Sequence, residues 1–417
     1  MKKLLVVCFT FPPYPGIGGR RWAKFIKYLD RKGVECTVVA ARKTNTGNSN
    51  WCNDIKGYKS KIQYVKPPYP NALMMVPKNI FSKLHYRLSL YYVKFNYPNQ
   101  NYYDHSIGFG NSIYRVVENA IQSGTKNILI SVGPFQMAWE LLPLKKKYPE
   151  INFMVDFRDP WSNNKTSFGF AEMLSGALEN EQNKEKSVIK ACDCVISVSE
   201  EMNKYFKTTT AENHSKFYVI PNGFDPEDFV DFKDEKPRKE SSINLLLLGT
   251  LYNKTRTIFA ELNDALHRLK TENPGGYNKL RFHFCGEVPD WFHEFQNQHN
   301  IIFYDGIKQQ SEAFELAARS DAMMLFLTDD LNFSMSTKFY EAIAMKKPLI
   351  VFSDKGKTAE YVEENNIGKP INKGNIYKDL TDFIAMFENK RVKFNPEFNT
   401  ADFNIELLSE KIIRLLN

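Results

Sequence analysis

Nowhere does the chain run eighteen apolar residues without interruption, which excludes a conventional membrane-spanning helix. Its opening, Met1-Lys2-Lys3 followed by the apolar run Leu4 to Phe9, has the outline of a secretory leader. That run is short, however, and closes on Phe11-Pro12-Pro13 without a small-residue cleavage site, so it reads as a first β-strand. The six cysteines (Cys8, Cys36, Cys52, Cys192, Cys194, Cys285) sit mostly inside apolar runs and show no zinc or disulfide-framework spacing. Reduced, structural thiols are expected. The Cys192 and Cys194 pair faces one side of a predicted strand, and an isolated pair of this kind is a weak metal signal. The seven histidines, His105 and His214 among them, are scattered without a metal-ligating constellation, so no metal and no bound cofactor are expected. Helix-turn-helix spacing and RNA-binding signatures are also missing, which removes nucleic acid from the partners that a formal charge of +8 could serve. Phosphorylated small molecules or an anionic membrane surface remain.

What is present is the composition of a folded soluble protein, 43% hydrophobic and 25% charged, far from that of a disordered chain. With 417 residues against the ~100–200 of a usual domain, two cores and a cleft between them are expected. Short apolar runs alternate with helical-period segments. Strands are predicted at 3–9, 34–40, 127–132, 152–157, 194–198 and 216–220, then at 243–248, 281–285, 301–304, 322–326 and 349–352. This is the pattern of two α/β doubly wound, Rossmann-like domains built from βαβ units. The expected division is 1–225, a charged linker with two prolines at 226–242, a second domain at 243–395, and a terminal segment 396–417 whose helix packs back on the first domain.

Four loops at predicted strand ends carry the residues of interest. After the first strand, Gly16-Ile-Gly18-Gly19-Arg20-Arg21 leads into a helix with Trp22, Phe25, Ile26 and Leu29 on one face. Glycines let backbone N–H groups turn inward at a helix start, where anions bind, and the two arginines would add to that field. A tight turn with no ligand is the alternative. A dinucleotide fingerprint is not met, because Arg21 stands where its third glycine belongs and Ala40, Ala41, Arg42 and Lys43 stand where its acid belongs. The second domain opens in parallel with Gly249-Thr250-Leu-Tyr-Asn-Lys254-Thr-Arg256. Cations at a helix start oppose the helix dipole unless they serve an anion or simply face solvent. Further on, Ser336-Thr-Lys338-Phe-Tyr-Glu341 precedes a strand, with Glu341 too far along for a capping box. Lys338 and Glu341 fall one turn apart, able to reach a phosphate and a ribose, or to pair with each other. In the first domain a strand ends in Asp156-Phe-Arg158-Asp159-Pro160-Trp161, two acids and an arginine that either contact substrate or bridge to hold the loop.

Taken together, Pro12-Pro13 to Arg21, Ser131-Val-Gly-Pro134, Asp156 to Trp161, Pro221-Asn-Gly-Phe-Asp225, Gly249 to Tyr252 and Lys338 to Ala342 resemble the bacterial retaining glycosyltransferases of family 4 and its relatives, with the GT-B fold. The resemblance implies a nucleotide-sugar donor whose diphosphate lies against Gly18, Gly19, Arg20, Gly249, Thr250, Lys254, Arg256, Ser336 and Lys338, with Glu341 on the ribose. It also implies transfer to a glycan or lipid-linked acceptor, with the catalytic set drawn from Asp156, Arg158, Asp159 and Arg256. The resemblance further implies that cations and loop N–H groups stabilise the departing diphosphate in place of a metal, and that the leaving phosphate takes the acceptor's proton on the same face, so that no carboxylate pair is required. A glutamate eight positions before Glu341, with seven residues between the two, is usual in the family, and Phe333 occupies its place here. Two other readings therefore stay open: a nucleotide-sugar epimerase on the same fold, and a noncatalytic nucleotide-sugar-binding paralogue. Cytoplasmic polysaccharide assembly follows from the resemblance. The stretch from Leu73 to Tyr103, with Lys78, Lys83, Arg87 and Lys94 set among aromatic and aliphatic residues, suits either a peripheral contact with the cell membrane or a core-packing helix.

Overall fold

The computed structural model of the chain describes residues 2–14, 17–42, 51–98, 100–164, 169–170, 173, 175–212, 214–232, 242–328, 335–353, 356–389 and 391–417. They form two compact units, Met1–Asn222 with Ile405–Asn417, and Gly223–Asn404.

The first unit holds a sheet of seven parallel strands: β1 (Lys3–Cys8), β2 (Glu35–Ala41), β3 (Lys61–Val65), β4 (Asn127–Val132), β5 (Asn152–Phe157), β6 (Cys194–Ser197) and β7 (Phe217–Val219), in the order β3-β2-β1-β4-β5-β6-β7. Every residue of β4 and β5 is buried, which is why these strands read as continuous apolar runs rather than as alternation. Helices α1 (Arg20–Arg31), α2 (Ile80–Asn96), α3 (Phe109–Gln122), α4 (Gln136–Lys147), α5 (Ser175–Ala191) and α6 (Glu200–Thr210) belong to this unit. Trp22, Phe25, Ile26 and Leu29 recur at helical spacing on α1 and are buried with Val6, Val38 and Ala40 of the sheet. Each such side chain contributes about 1.5–3 kcal/mol on burial.

In the second unit six parallel strands, β8 (Ile243–Leu248), β9 (Leu280–Cys285), β10 (Ile302–Gly306), β11 (Ala322–Leu327), β12 (Leu349–Ser353) and β13 (Gly368–Asn372), are ordered β10-β9-β8-β11-β12-β13. Its helices are α7 (Arg256–Glu272), α8 (Pro274–Lys279), α9 (Trp291–Gln298), α10 (Gln310–Arg319), α11 (Thr337–Ala344), α12 (Lys357–Glu364) and α13 (Ile376–Glu388). A last helix, α14 (Ile405–Leu415), returns to the first unit as the terminal pattern predicts: Ile405, Leu408 and Ile412 join the α1 cluster, and Lys32 pairs with Glu410 at 2.8 Å. Phe229 and Phe232, from the predicted linker, pack on Phe314 of α10, while residues 233–241 lie outside the described residues.

In both sheets the strand order reverses beside the first strand, between β1 and β4 and between β8 and β11. In doubly wound sheets such switch points, at the carboxyl ends of the strands, are where ligands bind. Two edge strands escape the sequence pattern. β3 (Lys-Ile-Gln-Tyr-Val) is half-exposed and carries too few apolar residues, and β13 contains Gly368 and Pro370. A proline is tolerated there because β13 pairs only with β12.

Candidate functional site

In the first unit the loop after β1 is packed hard against its neighbours. A methyl group on Gly19 would stand 2.9 Å from the carbonyl oxygen of Thr10, and one on Gly18 would stand 2.5 Å from Arg158 Nη1. Arg158, at the end of β5, donates to the carbonyl oxygens of Gly18 and Gly133, and to that of Val132 at 3.3 Å. It therefore ties together the loops after β1, β4 and β5. The Gly18 and Arg158 positions of the sequence reading meet here, and the guanidinium is committed to backbone acceptors.

The two arginines at the start of α1 are likewise committed to protein partners. Arg21 donates to both carboxylate oxygens of Asp156 (3.1 and 3.3 Å) and to the carbonyls of Ile220 and Pro221 (2.8 Å each), with Asn222 Oδ1 at 3.1 Å. Asp156 is wholly buried and also accepts from Trp22 Nε1 at 2.7 Å and Ser131 Oγ at 3.3 Å. It holds the start of α1 and has no exposed surface. Arg20 pairs with Asp54 at 2.9 Å and lies over the Trp51 ring at 4.0 Å, and Lys24 takes the other Asp54 oxygen at 2.8 Å. Its charge is thus opposed by a carboxylate, which lowers the anion field expected of the glycine loop; Gly16 itself lies outside the described residues.

Asp159 differs from Asp156. It is half-buried and accepts no hydrogen bond among the described residues; burial pushes its carboxyl above the usual range, against the opposing pull of Arg158. A methyl on Gly133 would stand 3.6 Å from Asp159 Oδ2, which puts this carboxylate at the carboxyl ends of β4 and β5.

Beneath these loops lies a layer of buried acids that the sequence reading did not single out. Asp104 accepts from the N–H groups of Phe135 (2.7 Å) and Gln136 (3.2 Å) at the start of α4, and from Ser106 Oγ at 2.6 Å. Burial raises its carboxyl to about 6. Glu181 accepts from Trp161 Nε1 at 2.9 Å and pairs with Lys184, also at 2.9 Å. Glu185 accepts from Trp161 N at 3.2 Å and from Ser162 Oγ, and burial raises it to about 7. Trp161 stacks on Phe135 with ring centres 5.4 Å apart. These acids fix the loops after β4 and β5 from segments remote in sequence, and no local spacing marks them.

The second unit arranges its groups otherwise. Gly249 ends β8 with φ +94°, a conformation that disfavours a side chain, and a methyl there would stand 3.1 Å from Lys338 Cε. Lys338, half-buried on the first turn of α11, lies 5.6 Å from the Tyr252 ring centre and donates no hydrogen bond among the described residues. Burial lowers its ammonium below the usual range, and Glu341 one turn on opposes that shift. Ser336 caps α11 in position only: its side chain makes no cap hydrogen bond, and its hydroxyl is buried without a partner. Ser353 at the end of β12 carries a second buried hydroxyl without a partner. Lys338 thus reaches the Gly249 loop from the first turn of α11, the turn that follows the Ser336 hydroxyl.

Thr250 Oγ1 stands 3.5 Å from Glu287 Oε2, and Leu251 N donates to the Glu287 carbonyl at 2.8 Å, so the loops after β8 and β9 run together. Lys254 and Arg256 are exposed, and Arg256 makes no ion pair among the described residues. Phe333 lies outside them. No group of three or more His, Cys, Asp or Glu side chains among the described residues is placed to hold a metal ion.

No family model matches the chain, and no curated protein matches it in sequence. Solved structures do match over its full length. Sucrose-phosphate synthase from Thermosynechococcus elongatus is 11% identical with a TM-score of 0.65, covering 100% of this chain and 98% of that one. The lipopolysaccharide outer core galactosyltransferase WaaB in its apo form is 11% identical with a TM-score of 0.58, covering 100% and 99%. A structure described as a putative UDP-N-acetylglucosamine 2-epimerase from Listeria monocytogenes is 12% identical with a TM-score of 0.56, covering 99% and 95%. Two parallel α/β sheets in this strand order, together with these likenesses, show that the chain has the GT-B fold of two Rossmann-like domains.

Proposed function

We propose that the protein is a glycosyltransferase that moves a sugar from a nucleotide-activated donor to a glycan or lipid-linked acceptor, with retention and without a metal, in the cytoplasmic assembly of surface polysaccharide. The observation that carries the reading is a candidate anion cradle in the second unit, where Lys338 reaches over Gly249 from the first turn of α11, a helix whose N-cap Ser336 makes no cap hydrogen bond and has a buried hydroxyl without a partner among the described residues. A nucleoside diphosphate brings two phosphates to satisfy these donors and a ribose within reach of a carboxylate on the next turn.

In this reading Gly249, Thr250, Ser336 and Lys338 hold the diphosphate, Lys254 and Arg256 add positive charge at its exposed side, and Glu341 accepts from the ribose hydroxyls. Gly18, Gly19 and Arg20 are the first unit's donor-binding residues in this reading. As the sugar bond breaks, negative charge grows on the leaving phosphate. Lys338, Arg256 and the N–H groups of α11 stabilise that charge, taking the part a metal plays elsewhere. The leaving phosphate accepts the acceptor's proton on the face it departs from, so the anomeric configuration is retained. Asp159 orients the acceptor or the sugar, while Asp156 and Arg158 hold the loops that carry it.

The test is a melting screen against UDP, GDP, ADP, CMP and their sugar conjugates, since a ligand at ~100 times its dissociation constant adds about 2.7 kcal/mol. One nucleotide series should raise the melting temperature in the wild type. Its affinity should fall about 10- to 100-fold in Glu341→Gln and Lys338→Met, each of which removes a charged hydrogen bond of about 1.5–3 kcal/mol. Binding to no nucleotide, or equal binding by both variants, refutes the assignment of the cradle. The likeness to an epimerase gives a second reading, which formation of an epimerised sugar without any acceptor would establish.

A further inference from the structure

Helix α2 turns its more apolar face away from the protein. Its buried residues are Ser89 and Val93, whereas Ile80, Phe81 and Phe95 are 82%, 84% and 86% exposed, and Leu84, Leu88 and Tyr91 are all more than half exposed. At ~100° per residue these six fall within an arc of roughly 80–120°, the width of an ordinary core-facing stripe, but on the side opposite Val93. The helix starts firmly, since Asn79 and Ser82 form a reciprocal capping box at 2.8 and 2.9 Å, and Val93 anchors it in a small cluster with Tyr69 and Ile107. The exposed face therefore belongs to a well-formed helix.

Charge identifies what covers that face. Lys83, Arg87 and Lys94 line one flank of the arc, and Lys78 lies just before the helix. From Ile55 to Tyr103 the sequence contains no Asp or Glu at all, while it holds eight lysines and arginines: Lys56, Lys59, Lys61, Lys66, Lys78, Lys83, Arg87 and Lys94. An isologous contact with a second copy would bring these like charges together. An anionic bilayer surface accepts both features at once, aromatic and aliphatic side chains entering the acyl boundary while the cations meet phosphate headgroups. No helix among the described residues is long and apolar enough to cross a membrane, so contact through α2 is with one leaflet.

We propose that α2 is a membrane-docking element that lies in the plane of an anionic lipid surface, with Ile80, Phe81, Leu84, Leu88, Tyr91 and Phe95 inserted. The helix belongs to the first unit and the candidate anion cradle to the second, and the test uses no nucleotide, so either reading can fail without the other.

The full chain is sedimented with vesicles of phosphatidylglycerol and phosphatidylcholine, and with phosphatidylcholine alone, at low and high salt. Binding to the anionic vesicles that weakens with salt is expected. Phe81→Ser/Leu84→Ser/Phe95→Ser should weaken it at least ~tenfold with an unchanged melting temperature, because these side chains are already in water. Lys83→Gln/Arg87→Gln/Lys94→Gln should weaken it ~fivefold per charge removed and flatten its salt dependence. Wild type that leaves anionic vesicles unbound at low salt overturns the proposal, as does a serine variant that binds like wild type. A concentration-dependent dimer that the serine substitutions abolish, without vesicle binding, overturns it in favour of self-association.

Discussion

Replacing Asp156 by alanine is expected to cost the first unit about 3–5 kcal/mol, the usual penalty for removing one partner of a buried ion pair. The structure supports the upper part of that range. Asp156 has no exposed surface, Arg21 is 8% exposed, and the carboxylate accepts four donor contacts, two from Arg21 and one each from Trp22 and Ser131. With roughly 2–4 °C lost per kcal/mol in a unit of this size, melting should fall by on the order of 10 °C. Asp159→Asn, three residues on, should behave in the opposite way. That carboxylate accepts no hydrogen bond among the described residues, and burial raises its pKa above the unfolded value. Its stabilising contribution is therefore present at low pH and lost as pH rises through the folded value, so the amide should melt no lower than wild type at neutral pH. Activity should divide the other way: Asp159→Asn should lose most of its turnover while still folded, once the donor is identified. Calorimetry on both variants with turnover of the folded fraction is the assay. A melting temperature for Asp156→Ala within 2 °C of wild type, or a drop in Asp159→Asn as large as that of Asp156→Ala, refutes this division of labour.

Gly249→Ala should destabilise the second unit by about 1–3 kcal/mol, because φ +94° is strained for any side chain. It should also weaken nucleotide binding by pushing on Lys338, 3.1 Å from the added methyl; binding titrations that match wild type would exclude contact between that loop and the ligand. Glu185, buried and raised to about 7 from an ordinary 4.5, stabilises fully below its unfolded pKa and loses that contribution as pH climbs through about 7. Glu185→Gln keeps an acceptor oxygen for the Trp161 N–H and offers an amide N–H to the Ser162 hydroxyl, which can accept, and should remove on the order of 3 kcal/mol of pH dependence between pH 4.5 and 8; melting curves with an unchanged pH slope would refute this.

The alternation of apolar runs with helical periods made the central strands of both sheets legible, because a strand buried on both faces has nothing but apolar residues to show. The edge strands β3 and β13 were not legible, since half-exposure dilutes the pattern and Pro370 speaks against a strand unless its edge position is known. At the site, glycines and cations could be found but not their partners. Arg20 and Arg21 read as an anion-binding pair, yet their carboxylates come from Asp54 and Asp156, 34 and 135 residues away, and no local spacing announces them. The same holds for Asp104 under α4. Helix α2 shows the limit most clearly: its low amphipathicity is visible in sequence, but which apolar side faces water is decided by Val93 and the cluster around Tyr69.

A consequence of these pairings is that the two glycine loops, so alike in sequence, are electrostatically unlike. In the first unit Arg20 and Lys24 share Asp54, Arg21 pairs with Asp156, and Arg158 donates to backbone carbonyls, so a ligand arriving there meets cations whose donors are already engaged. Among the described residues of the second unit, Lys338 is desolvated with no hydrogen-bond acceptor of its own, Ser336 has a buried hydroxyl without a partner, and Arg256 makes no ion pair. An anion bound there restores solvation that folding removed, whereas one bound in the first unit must compete with carboxylates already in place. Phosphate affinity should accordingly reside in the second unit. Lys338→Met should abolish most protection by inorganic pyrophosphate, and Arg20→Met should leave it within about twofold of wild type. The reverse order of effects in a titration would move the phosphate site to the first unit and refute the assignment.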